Sequence, residues 1–393
     1  MAITKTADIV IIGGGITGCS LAYNLALHGA TNVILLEKSG IGSGGTNRSC
    51  AILRTHYSIE YNLLHAAASL NFFKNFEEIL GVDAGFHQTG YLILGPEQHK
   101  EQMETVFSLQ QANGIDTATL TPEEAASIHP MLNLTDIPVI GYDSMSGYCD
   151  PMLATNGYAQ RASELGVTLS PETEVTTITK SNGRYTIHTA NESIETPSVA
   201  VIAGPWSNLL LRDLGIELPY VVTKHKVLNI DFREKYDPSW PIVKDLTTPT
   251  KLYFRPTPES QMIIGTGDHG EDTDDLDSTF KDNVDYDHID NIKSHLGRLM
   301  PNLTISDNIR SWTGPYDIPP DWNPMVGNVE GHDGLYVAVG FSGHGFKLAP
   351  SIGENLALTM LDQTPSLTIQ PYSPQRFTTN ELLAGAYGIG SIS

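Results

Sequence analysis

The stretch from Asp8 to Lys38, DIVIIGGGITGCSLAYNLALHGATNVILLEK, constrains the fold of this chain more than any other. Four apolar residues, Ile9 to Ile12, read as a buried parallel strand, and Gly13, Gly15 and Gly18 follow in G-x-G-x-x-G spacing at the mouth of a helix. The first glycine permits a tight turn, the second lets the main chain approach a pyrophosphate, and the third lets helix and sheet pack closely. Leu21, Ala22, Leu25 and Ala26 recur at helical spacing, Gly29 suits a helix end, and Val33 to Leu36 form a second apolar strand. Glu37 closes that strand 19 residues after Gly18, where a carboxylate can accept hydrogen bonds from an adenosine ribose. Strand, glycine triplet, helix, strand and acid in this order predict a bound dinucleotide. A glycine-rich turn in an unrelated α/β protein is the ordinary alternative.

Length and charge narrow the class. A chain of 393 residues, 40% of them hydrophobic, has enough core for two domains. A net charge of −22 argues against nucleic acid and anionic membrane as partners. The segment before the first strand is too short and polar for a signal peptide, and no run of about 18 apolar residues is present to span a bilayer, so a cytoplasmic protein is expected. Cys19, Cys50 and Cys149 are odd in number and lack CxxC spacing, which predicts neither a disulfide framework nor a metal site. Cys50 lies in a functional loop, but a buried small hydrophobe is the simpler reading.

That loop, GIGSGGTNRSCAILR from Gly40 to Arg54, is polar, glycine-rich and partly cationic, suited to wrapping a pyrophosphate or the ring system beyond it. Together with the glycine fingerprint, Glu37 and GLYVAVGFSGHGFKLAPSIGENLA from Gly334, it resembles the FAD-dependent amino-acid oxidoreductase (D-amino-acid oxidase) family, in its sarcosine oxidase and dimethylglycine dehydrogenase branch. The resemblance covers nearly the whole chain. It implies FAD as cofactor, and an α/β fold of the glutathione-reductase type with a Rossmann-like FAD-binding domain and a second, antiparallel-sheet substrate domain. The expected division is 1–84, 145–217 and 316–375 for FAD, 85–144 and 218–315 for substrate, and 376–393 as a peripheral tail.

The resemblance also implies which residues meet the cofactor: Gly13, Gly15, Ile16, Thr17, Gly18, Glu37 and Lys38 in the first unit, and Thr46, Arg48, Ser49, Ala51 and Ile52 in the loop. Val175 is implied near the adenine, Gly204 with Trp206 along the dinucleotide, and Gly343, Gly345, Phe346 and Lys347 by the flavin. Trp206 has an alternative as a cap on the core. The stretch WTGPYDIPPDWNPMVG, Trp312 to Gly327, resembles the loop at the dimethylbenzene edge of the flavin. Monomeric sarcosine oxidases attach flavin to a cysteine at the position of Gly314, and dimethylglycine dehydrogenases to a histidine in the loop that here reads GSGGTNRS. Neither residue is present, so unlinked FAD is expected.

Catalytic expectations follow the same resemblance. Arg54 and Lys347 match the arginine and lysine that clamp the substrate carboxylate, the first with a planar fork and the second with a point charge. A loop salt bridge for Arg54 and a flavin contact alone for Lys347 are the alternatives. Tyr253 and His269 lie near positions where the family carries a tyrosine and a histidine over the substrate, although the histidine aligns better with Gly267; ordinary sheet packing or solvent exposure is the alternative for both. The lysine that promotes reaction with oxygen is replaced by Ile263, which leaves oxygen and an electron-acceptor protein as open choices. The expected activity is oxidation of a secondary or tertiary N-methyl amino acid by hydride transfer to flavin N5, followed by imine hydrolysis. Oxidation at the α-carbon of a D-amino acid or glycine, or a non-catalytic flavin-binding assembly or electron-transfer subunit, are the competing readings, and oligomeric state is left open.

Between these landmarks a helix is expected from Glu60 to Leu80, a strand at Gly85 to Gly95, a helix from Met152 to Leu165 and an antiparallel meander over Thr168 to Ile178 and Tyr185 to Thr189. Short alternating strands at Lys226 to Phe232, Lys251 to Phe254 and Gln261 to Gly265 predict the sheet over the flavin. The acidic run Gly270 to Phe280 lacks EF-hand order and reads as a solvated loop.

Overall fold

The computed structural model describes residues 3–273, 276 and 284–388; most of the acidic run beyond Thr273, and residues 389–393, lie outside the described residues. Ile9–Ile12 is completely buried and forms the middle of a six-stranded sheet. Val33–Leu36 and Thr168–Ser170 lie to one side of it, Ser198–Val201 and Leu335–Val339 to the other, all parallel, and Met325–Asn328 closes the edge antiparallel. Strands buried on both faces need no alternation, which is why Ile9–Ile12 and Val33–Leu36 are continuous Val, Ile and Leu.

Helices Ile16–Leu27, Glu60–Lys74, Pro151–Glu164 and Gly345–Met360 pack on one face, in a core containing Leu21, Leu25, Phe73, Tyr158 and Ile352. A four-stranded sheet covers the other face through Ile178, Tyr185, Ile187 and Ile194. This second layer corrects the expected meander. Thr168–Ser170 belongs to the parallel sheet, the meander proper is Val175–Ser181, Arg184–Thr189 and Glu192–Thr196, and Ile3–Thr6 joins its edge in parallel. The expected long helix is likewise two, Glu60–Lys74 and Phe76–Leu80, broken at Asn75.

A larger sheet stands beside these layers. Its strands run in the order Glu271–Asp272, Val221–Phe232, Met262–Gly265, Tyr253–Pro256, Ile242–Asp245, Tyr91–Gly95, Val139–Asp143 and Thr117–Thr119, with Ile305–Ile318 paired to Val221–Phe232. Every neighbouring pair is antiparallel except Ile242–Asp245 with Tyr91–Gly95. Two expectations change here. Trp312 to Ile318 is the end of a strand rather than a loop, and that strand runs through the boundary expected between 315 and 316.

The tail is not peripheral throughout. Arg376 is buried and meets both carboxylate oxygens of buried Asp321 at 2.8 and 2.9 Å, and Tyr387 reaches the ring of His56 at 3.2 Å. The tail's partners, Asp321 and His56, lie far from it in the sequence, so no local pattern marks it as anchored.

Candidate active site

The strand Ile9–Ile12 delivers its glycines to the wall of a cavity of about 760 Å³. Gly13 has φ of +118°, and a Cβ there would collide with the carbonyl of Ile202; a Cβ at Gly18 would strike the carbonyl of Gly13. Gly15 is different, since a Cβ would meet only the Thr46 hydroxyl at 3.2 Å, and the residue faces the cavity. Two helices, Ile16–Leu27 and Gly345–Met360, begin at this cavity with no acidic residue in their first turns, so the positive ends of both helix dipoles face it. Glu37 also lines it, accepting hydrogen bonds from the backbone N–H of Gly14 at 2.8 Å and of Ser39 at 2.9 Å.

Ile16, Thr17, Lys38, Thr46, Arg48 and Ser49 line the same space, as do Val175, Gly204, Trp206, Gly343, Gly345 and Phe346. Lys38 Nζ sits 4.1 Å from the Trp206 ring centroid, which makes that tryptophan a cavity wall. Gly204 has φ of +53° and nothing within 4 Å of a built Cβ. Glycines that leave main chain bare, helix starts suited to phosphates and a carboxylate at the end of the second strand form a donor and acceptor set that fits an extended flavin dinucleotide. Gly314 lies against Arg48, where a Cβ would come within 3.1 Å of the arginine's own. Ala51, Ile52 and Lys347 depart from the expected list: they line a second, smaller cavity and not this one.

That smaller cavity, about 310 Å³, shares Ser49, Cys50, His225, Tyr253, Tyr316 and Gly343 with the first. Arg54 enters it just after the short strand Ile52–Leu53; its guanidinium donates to the His56 carbonyl and lies 4.5 Å from the Tyr57 ring centroid. Tyr57 in turn meets His344 Nδ1 at 2.7 Å. Lys347 arrives from the first turn of Gly345–Met360 and is buried, and burial, followed by the charge of Arg54, holds its ammonium pKa well below the usual lysine value. The two cations expected together are therefore walls of one cavity.

Tyr253 also lines both cavities. Its ring covers Gly265, where any Cβ would strike the phenol, and Cys50 Sγ lies 3.8 Å from its hydroxyl. His269 sits at the rim, half exposed, with Nε2 at 2.7 Å from Asp272, so the structure does not turn it inward as it does Tyr253. The space beside Gly267 is filled instead by Lys244 Nζ, which a Cβ at 267 would overlap. Burial first, and Arg54 and Lys251 next, bring the Lys244 pKa down to about 7.

Sequence reasoning missed Lys244, His225 and Tyr316. His225 stacks on Tyr316 with centroids 3.6 Å apart, and burial lowers its pKa to about 4. Lys244 lies with Asp245 in the fully buried four-residue strand Ile242–Asp245, and that burial is visible only in the structure. Cys50 is buried and free, as are Cys19 and Cys149, and burial raises the pKa of all three thiols. No described helix is long and apolar enough to cross a membrane.

Comparison with known proteins agrees with this geometry. The β subunit of sarcosine oxidase from Arthrobacter sp. is 28% identical over 96% of this chain and 93% of its own length. Human mitochondrial dimethylglycine dehydrogenase is 26% identical over 94% of this chain, which spans only 44% of that protein. Among solved structures, L-proline dehydrogenase from P. horikoshii superposes with a TM-score of 0.88 at 30% identity, covering 97% of this chain and all of that one. Residues 8–358 match the profile described as FAD dependent oxidoreductase, and the chain belongs to that family, DAO, whose members oxidise amino acids and amines with FAD.

Proposed function

We propose that the chain oxidises a secondary or tertiary amino acid, a sarcosine- or dimethylglycine-like N-methyl amine, at a carbon next to nitrogen. The observation that carries this reading is the pair Arg54 and Lys347 in a small cavity that shares walls with the dinucleotide cavity. The named relatives add support, because sarcosine, dimethylglycine and L-proline all place a substituted amine beside one carboxylate.

Arg54 and Lys347 hold the carboxylate, the first fixed in orientation by the His56 carbonyl and the Tyr57 ring. Binding energy at that end positions the C–N bond toward the shared wall, formed in part by Tyr253 and Tyr316. The same cations disfavour a protonated amine and so keep its lone pair available. FAD, when bound, would supply the acceptor for the hydride that leaves the carbon next to nitrogen as the lone pair forms the C=N bond. The substrate imine then hydrolyses, giving an aldehyde and the shortened amine when a methyl carbon is oxidised. Without a cysteine at Gly314 or a histidine in Gly42 to Ser49, we assign FAD as non-covalent, so that acid precipitation of the protein should leave all yellow colour in the supernatant.

The test is anaerobic mixing of the purified yellow protein with sarcosine, dimethylglycine, N-methylaminobutyrate, L-proline and D-alanine, following flavin absorbance and then admitting air. Bleaching by the N-methyl compounds is expected, and the rate of colour return separates an oxidase from a dehydrogenase. Bleaching by D-alanine alone would move the reaction to the α-carbon, and no bleaching by any of the five would overturn the assignment.

A further inference from the structure

Lys244 is 8% exposed, yet its ammonium has no hydrogen bond and no carboxylate within ion-pair distance among the described residues. The adjacent carboxylate, Asp245, is committed elsewhere, to Arg298 at 2.7 Å and to the Thr247 N–H at 2.9 Å. Instead Nζ occupies the space beside Gly267 and lies 5.1 Å from the Tyr253 ring centroid, on the wall of the smaller cavity. Arg54, Lys251 and Lys347 line the same 310 Å³, against one carboxylate, Asp268, which already accepts from the Thr266 hydroxyl at 2.7 Å.

A buried ammonium without an ion-pair partner is costly, and crowding it with three more basic side chains in a small cavity raises that cost. A single substrate carboxylate is accounted for by Arg54 and Lys347. Lys244 comes from a different element, the large sheet, and is left over. We propose that the substrate carries a second carboxylate, as in an N-carboxymethyl or other N-substituted dicarboxylic amino acid, and that Lys244 receives it. This rests on the amino-acid reading of the cavity. The low pKa of Lys244 fits the same picture, because an anion beside Nζ would favour its charged form.

Thiodiacetate and methylthioacetate test this directly. In both, sulfur stands in place of the oxidisable amine, and they differ by one carboxylate. Calorimetric titration of the FAD-loaded protein should give thiodiacetate a dissociation constant about 30-fold or more below that of methylthioacetate. Lys244→Met should collapse that ratio to near one, and Lys244→Arg should largely keep it. Equal affinities in the unsubstituted protein, or a ratio untouched by Lys244→Met, would overturn the proposal. Since neither probe is oxidised, a preserved ratio supports the second-carboxylate site even where no N-methyl amine bleaches the flavin, and a ratio near one defeats it even where sarcosine does.

Discussion

The two adjoining cavities are built on opposite principles. The larger is walled by glycines, main-chain amides and two helix starts, and its first seven expected contacts fall between Gly13 and Lys38. The smaller is walled by charged and aromatic side chains brought together from Arg54, Lys244, Tyr253 and Lys347, nearly 300 residues apart in the chain. Bare backbone can recognise a phosphate chain common to many proteins, because its N–H groups are the same everywhere. Selecting one amine among many requires side chains, and these are free to differ from one relative to the next.

If the contrast is real, damage to each cavity should have a different signature. The largest effect is expected from Gly13→Ala, where the methyl would strike the Ile202 carbonyl and the residue would be forced to φ of +118°. Overpacking and backbone strain together cost about 4 kcal/mol, so thermal melting should fall sharply and the purified protein should be nearly colourless. Arg54→Ala should leave the yellow colour intact, because Arg54 lines the smaller cavity alone, while kcat/KM for an N-methyl amino acid falls about 100-fold or more in steady-state assays. Loss of FAD from that variant would erase the distinction between the cavities.

Lys244→Met should move stability in the other direction. The folded pKa of Lys244, about 7, lies below its ordinary value of 10.5, so folding penalises the protonated form. That penalty is complete below pH 7 and fades as pH rises toward 10.5. Removing the charge should therefore stabilise the ligand-free protein by about 2 kcal/mol near pH 7 and by little near pH 10, as read by chemical denaturation. The smallest effect is on ligand affinity. Thiodiacetate binding to the unsubstituted protein should weaken as pH rises above 7, approaching about tenfold per pH unit, a dependence that Lys244→Met reduces.

What the sequence could disclose follows the same contrast. Strand, glycines, helix, strand and Glu37 interact within about one βαβ unit, so their spacing alone carried a bound dinucleotide, while FAD and the two-domain fold were legible only through the family resemblance. The break at Asn75 was hidden because apolar spacing continues across it into Phe76 and Leu80, both buried. Lys244 was hidden for a different reason: it stands in for a side chain absent at Gly267, and only the pairing of Ile242–Asp245 with Tyr253–Pro256, and of that strand with Met262–Gly265, brings the two positions together. The burial of Arg376 depends on Asp321, 55 residues away, with no local pattern to announce it.

The central sheet has a consequence for how the protein is made. Ile9–Ile12 emerges from the ribosome early, but its neighbour Ser198–Val201 follows almost 190 residues later, and Leu335–Val339 and the helix from Gly345 come later still. At synthesis rates of about 5–20 residues per second, the first glycine turn waits many seconds for the strands and the second helix start that complete its cavity. The dinucleotide is thus a ligand of the nearly finished chain, and its capture reports that the most distant parts of the sequence have found one another.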